Sequence, residues 1–178
     1  PLILSLEERC NPRLVGGKAA GLGKLLAAGF AAPTGLCVTT AVYRHCLDGA
    51  GISATETWRT MLHSSDGQRA EAQARIQRLL MEQPWPAGFC ADLELRLKNL
   101  SGDPVTRWAV RSSATNEDAA DRSAAGLYRT ALAQSSGDVW QAIRGCWISL
   151  WDARVFLYWL QAGVDVPCPA MAVVIQPM

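Results

Sequence analysis

The run Ala170-Met171-Ala172-Val173-Val174-Ile175-Gln176 constrains this chain more than any other segment, because it is apolar without alternation. A strand that alternates can leave one face in water, whereas one that is apolar throughout must be covered on both faces. It therefore predicts a buried strand with further layers packed around its sheet. Helical patterns supply the cover. Residues 69–83 place Ala72, Ile76, Leu79 and Leu80 on one face and stop at Pro84-Trp85-Pro86, and a second pattern over 92–100 carries Leu93, Leu97 and Leu100. Both are amphipathic, so the stretch 51–102 predicts a helical insertion that packs on the sheet. From Ser135-Ser136-Gly137-Asp138 onward, Trp140, Ile143, Trp147, Leu150, Trp151, Val155 and Tyr158 form the apolar stripe of one long helix, with tryptophan spent on core packing. Further strands are expected at 36–39, 105–111 and 126–132, and a helix from Thr40, its cap, to about Asp48. The fold class is α/β (α+β), a mixed sheet covered by helices.

Composition narrows the function classes. The 178 residues are 49% hydrophobic, enough for the core of one domain. Seventeen Lys+Arg against sixteen Asp+Glu leave a net charge of +1, which argues against nucleic-acid and membrane-surface partners, since both select a basic excess. No segment approaches the roughly 18 consecutive apolar residues of a membrane span. Residues 1–11 lack the basic, apolar, small-residue order of a signal peptide, so the expected location is cytoplasmic. Cys10, Cys37, Cys46, Cys90, Cys146 and Cys168 form no CxxC pair and have no histidine at ligand spacing. They are expected as thiols acting as small hydrophobes, with no metal ligands in this chain. His45 and His63 are expected as surface or capping residues.

Two segments stand above this background. The first is Gly16-Gly17-Lys18-Ala19-Ala20-Gly21-Leu22-Gly23, followed by Leu25, Leu26 and Phe30 near helical spacing, with Gly29 as the C-terminal cap. It predicts a glycine-rich loop feeding a short helix. Backbone N–H groups and the positive end of the helix dipole there suit an anion, and Lys18 adds a mobile charge. The GxxxxGK[ST] spacing of a P-loop is absent, and a plain helix start with a solvent lysine fits the spacing too. The second is Trp108-Ala109-Val110-Arg111-Ser112-Ser113-Ala114-Thr115-Asn116-Glu117-Asp118, where a strand delivers Arg111 at its end and then three hydroxyls and two acids. The guanidinium fork suits phosphate oxygens, with the hydroxyls as further donors. A salt bridge from Arg111 to Asp118 beside a Ser/Thr-rich turn is the alternative.

These two segments, the Ala28-Gly29-Phe30-Ala31-Ala32-Pro33-Thr34-Gly35 turn with Val38-Thr39-Thr40, the pair Ala125-Gly126, the helix Ala142-Ile143-Arg144-Gly145-Cys146-Trp147-Ile148-Ser149-Leu150-Trp151 and the final Val173-Val174-Ile175-Gln176 occur in a telling order. The ordered set resembles the N-terminal nucleotide-binding domain shared by phosphoenolpyruvate synthases, pyruvate phosphate dikinases and rifampicin phosphotransferases. The resemblance implies the first lobe of an ATP-grasp-type domain, in which two lobes clamp ATP and Mg²⁺. It implies that Lys18 and Arg111 contact ATP phosphates and serve catalysis, that Gly126 and Thr130 line the nucleotide site, and that Gln176 lies near the adenine end. It also implies transfer of the β-phosphate to a histidine of a swivelling domain and on to pyruvate or another acceptor, leaving AMP.

The chain departs from the family in one loop, where Ser123-Ala124-Ala125-Gly126-Leu127-Tyr128-Arg129-Thr130 stands in place of Ser-Phe-Ala-Gly-Gln. Leu127 replaces the glutamine and Arg129 is gained. The second lobe with its Mg²⁺ ligands, the phosphohistidine domain and the acceptor domain have no counterpart in these residues. They are therefore expected as partners on the same polypeptide or complex, and this lobe alone is expected to bind nucleotide weakly without turnover. A noncatalytic nucleotide-binding or protein-interaction module is the alternative from another class.

Overall fold

The computed structural model describes residues 1–8, 11–101, 107–116, 126–133, 135–162 and 168–178. Along the chain these form β1 (Ile3–Ser5), α1 (Pro12–Ala27), β2 (Leu36–Val38), α2 (Thr40–Gly49), α3 (Ala54–His63), α4 (Asp66–Glu82), α5 (Phe89–Ser101), β3 (Trp108–Ala114), β4 (Thr130–Ala133), α6 (Ser136–Ser149), α7 (Ala153–Ala162) and β5 (Met171–Pro177). The strands make one sheet in the order β1-β2-β5-β3-β4, so the unbroken apolar run of β5 takes the middle. Its alternate residues enter two different cores. Met171, Val173 and Ile175 join the large cluster built with α2 to α7, while Ala172 and Val174 join a smaller cluster with Val15 and Ala19 of α1. All five are fully buried, and each large aliphatic side chain so placed contributes about 1.5–3 kcal/mol.

The α/β (α+β) class is as expected, a sheet with helices on both faces. The pairing is not mixed: every described strand pair is antiparallel, including β5 with β2 and β5 with β3. Both connections that bring β5 to its neighbours contain helices and can return in either direction, so connection length leaves the direction open. Other boundaries also moved. The region expected to hold two helices holds three, with α3 placing Trp58 and Met61 in the core. The long Trp-rich helix is two helices, α6 and α7, broken between Ser149 and Ala153. The break lets Trp151 pack edge-on against Trp58, with ring centroids 6.1 Å apart, while Phe156 sits 4.6 Å from the same Trp58 ring. Thr40 does not cap α2. Thr39 holds the cap position, but its hydroxyl donates to the Pro1 carbonyl rather than capping the helix, and the Thr40 hydroxyl donates to the Arg13 carbonyl of α1.

Two local signals read from sequence hold. Ser135 and Asp138 form a reciprocal capping box at the start of α6. At the end of α1, the Phe30 N–H donates to the Leu25 carbonyl and the Gly29 N–H to the Leu26 carbonyl, with Gly29 at φ 79°. That pair of bonds is a Schellman cap, and it requires the left-handed residue that Gly29 supplies. Cys37, Cys46 and Cys146 are buried, Cys90 and Cys168 half-buried, and all five are free thiols; Cys10 lies outside the described residues. His45 and His63 are exposed.

Candidate functional site

Asn11 and Pro12 start α1 before the glycines: the Asn11 side chain accepts from the Arg13 N–H, and Pro12 takes the first turn, where a missing N–H costs nothing. The glycine-rich segment is therefore a kink inside a helix rather than a loop ahead of one. Gly16 sits at φ 75°, ψ 172°, and its Cα lies so close to β3 that a Cβ would meet the Ser113 carbonyl oxygen at 2.1 Å. A helix broken this way leaves carbonyls without donors before the break and N–H groups without acceptors after it. Residues from elsewhere repair both sides. Thr40 donates to the Arg13 carbonyl at 3.1 Å, the Ser113 hydroxyl donates to the Val15 carbonyl at 2.8 Å, and the same hydroxyl accepts from the Ala19 N–H at 3.1 Å.

The second half of α1 thus begins against β3, and Lys18 lies on its first turn. Its half-buried ammonium donates to the Ser112 carbonyl at 2.6 Å, the carbonyl directly after Arg111. Arg111 stands in the middle of β3 rather than at its end, because the strand runs on to Ala114, and its side chain is exposed. Ser113 faces α1, so period-2 alternation puts Arg111 and Ala109 on the same face of the sheet. Thr130 of β4 is directly opposite Arg111, and Gln176 of β5 is directly opposite Ala109. Directly opposed residues share a face. Lys18, Arg111, Thr130 and Gln176, which come from four elements, are therefore gathered on the α1 side of the sheet.

Gly126 is not in this register. It lies in an exposed turn ahead of β4, at φ 78°, with open space where a Cβ would be. Gln176 is only 3% exposed, and its amide nitrogen donates to the Pro33 carbonyl at 2.8 Å, which pins the Pro33–Gly35 turn to the sheet. Arg129 projects to the opposite face from Thr130, where its guanidinium nitrogen lies 3.6 Å from the Cβ position of Gly145 on α6. Residues 117–125, Asp118 among them, fall outside the described residues, and with them the alternative salt bridge.

None of the three hydroxyls read as phosphate donors is free for that role: two are bonded elsewhere and the third is buried without a hydrogen-bond partner among the described residues. Ser113 is consumed by the α1 break, Ser112 is fully buried, and Thr115 accepts from the Ala170 N–H at 3.0 Å. Ser113 and Gly16 are the residues that sequence reasoning missed as builders of the site. The one sign of them was a Gly-Gly pair inside an otherwise helical pattern, which by itself fits a loop equally well. Burial pushes the Cys146 thiol behind β3 up to about 12 against the opposing charges of Arg129 and then Lys18, leaving it inert at neutral pH.

Mg²⁺ wants several oxygen ligands, usually carboxylates with water. Among the described residues no group of three or more His, Cys, Asp or Glu side chains converges, and no described strand carries an acid. These residues do not fit the ion, and no step is derived through it. Nor is any helix among the described residues long and apolar enough to cross a membrane.

The sequence model of the family described as "Pyruvate phosphate dikinase, AMP/ATP-binding domain" matches residues 12–178. A phosphoenolpyruvate synthase of Aeropyrum pernix is 34% identical over 186 residues, covering 99% of this chain and 23% of the relative. Rifampicin phosphotransferases of Bacillus subtilis and Streptomyces sviceus are 32% identical over 183 residues and 34% over 182, each covering 99% of this chain and 21% of the relative. The chain therefore spans less than a quarter of the length of these relatives. Since the match runs from the first turn of α1 to the end of the last strand and takes in both cations of the site, the chain belongs to the pyruvate phosphate dikinase AMP/ATP-binding domain family.

Proposed function

We propose that the chain is the first, ATP-holding lobe of a phosphoenolpyruvate synthase-like dikinase, with Lys18 and Arg111 on the ATP phosphates. The observation that carries this is the convergence of the two cations on one strand: Arg111 projects from the middle of β3, and Lys18 is tied to the carbonyl that follows it. Phosphoryl transfer asks a protein mainly for positioning and charge neutralisation. A guanidinium rooted on an interior strand provides a planar fork, and an ammonium on a flexible stem provides a charge that can follow the phosphate. Thr130, opposite Arg111, and Gly126, in the turn before it, line the nucleotide site, and Gln176 marks its adenine end.

In the full-length protein the β-phosphate passes to a histidine on another domain and from there to pyruvate or a similar acceptor. The γ-phosphate leaves to water or inorganic phosphate, so that AMP remains. The metal that ATP brings is held by residues beyond those described, in a second lobe of the same polypeptide or complex. Similarity to the pyruvate phosphate dikinase family, to phosphoenolpyruvate synthases and to rifampicin phosphotransferases supports the reaction class and offers two acceptors, pyruvate and rifampicin. The test is AMP formation: the full-length protein, given ATP, Mg²⁺, inorganic phosphate and either acceptor, releases AMP with one of them. ADP as the sole nucleotide product, or no turnover with either acceptor, overturns the assignment.

A further inference from the structure

In an unbroken helix the Ala19 N–H would donate to the Val15 carbonyl four residues earlier. Here the Gly16 break separates the two, and the Ser113 hydroxyl occupies the gap, accepting from Ala19 at 3.1 Å and donating to Val15 at 2.8 Å. One side chain from β3 has been inserted into the hydrogen-bond ladder of α1. The hydroxyl is fully buried, both its donor and its acceptor function are used, and Gly16 closes over it with no room for a Cβ. The angle between the two halves of α1 is therefore set by a contact with the sheet, and Lys18 sits one residue before the N–H that the contact holds.

We propose that Ser113 is a positioning residue for Lys18: its hydroxyl fixes the second half of α1 to β3, so that the strand carrying Arg111 also places the Lys18 ammonium. Arg111 and Ser113 are two residues apart on the same face of one strand, which makes the spacing of the two cations a property of β3 rather than of the α1 sequence. Without the hydroxyl, the Val15 carbonyl and Ala19 N–H are left buried and apart. The first turn of the second half then has no fixed seat on the strand, and Lys18 loses its defined place beside Arg111. The inference rests on the assignment of Lys18 and Arg111 to ATP phosphates.

The test is a double-mutant cycle on ATP affinity in the full-length protein, using Ser113→Ala, Lys18→Ala and the pair, with thermal melts alongside. The expected result is that Ser113→Ala weakens ATP binding about three- to tenfold when Lys18 is present and less than about twofold when it is not. The same loss in both backgrounds would mean that Ser113 supports the fold generally, and it overturns the proposal, as does no loss in either. Where Ser113→Ala fails to melt cooperatively, Ser113→Cys keeps the volume and a weak donor, and the same cycle is read with it. Failure of the parent assignment looks different: there Lys18→Ala alone leaves ATP affinity unchanged, whatever Ser113 does.

Discussion

A Cβ placed on Gly16 lands 2.1 Å from the Ser113 carbonyl oxygen and 2.5 Å from its hydroxyl, and the φ of 75° already excludes most side chains. Two independent costs meet at one residue. Backbone strain alone accounts for about 1–3 kcal/mol, and relieving the overlap means lifting α1 off β3, which also breaks both Ser113 hydrogen bonds. Gly16→Ala is expected to lose about 3 kcal/mol or more. A chemical-denaturation curve checks this, and an unshifted midpoint would show that α1 can straighten without penalty. The sequence carries no trace of this role beyond the residue itself, because what forbids a side chain at position 16 is an atom of residue 113.

Elements show the same division between local and distant causes. The end of α1 was legible, since Gly29, Phe30 and the two carbonyls their N–H groups serve all lie within residues 25–30. The start of α1 was not, because a broken ladder mended by β3 and α2 looks like a loop to any local pattern. Likewise α6 and α7 read as one stripe, since Trp147, Trp151 and Val155 keep helical spacing across the break; the aromatic cluster around Trp58 decides otherwise. Arg144 illustrates how elements are tied. Only 8% exposed, it donates from one guanidinium nitrogen to the Leu80 carbonyl and from the other to the Gln83 carbonyl at 2.6 Å, while its planar group lies 4.4 Å from the centre of the Trp85 ring. It supplies donors to the C-terminal carbonyls of α4, which the helix itself leaves unpaired. Burial lowers its pKa from the usual arginine value. Arg144→Leu removes the donors and the ring contact together and is expected to cost about 2–4 kcal/mol. Thermal melting reads the loss, and a melting temperature equal to wild type would contradict it.

At the scale of the molecule, the doubly buried β5 is what made the architecture readable. A central apolar strand demands helices on both faces, and α1 on one side with α2 to α7 on the other meets that demand. Strand direction was not readable, because connections containing helices can return either way. The candidate site depends on the same plan. Lys18, Arg111, Thr130 and Gln176 are scattered from residue 18 to residue 176, and what unites them is the register of β3 with β4 and β5 together with the seat of α1 on β3. Residue type pointed to Arg111 and Lys18; the fold adds that one strand holds both. The most direct measurement of that claim is calorimetric titration of ATP into the full-length protein, the Lys18→Ala variant and the Arg111→Ala variant. Each substitution is expected to remove a charge-assisted contact worth about 1.5–3 kcal/mol, a loss of roughly ten- to hundredfold in affinity. Affinity equal to wild type in both variants would contradict the placement of ATP phosphates at β3.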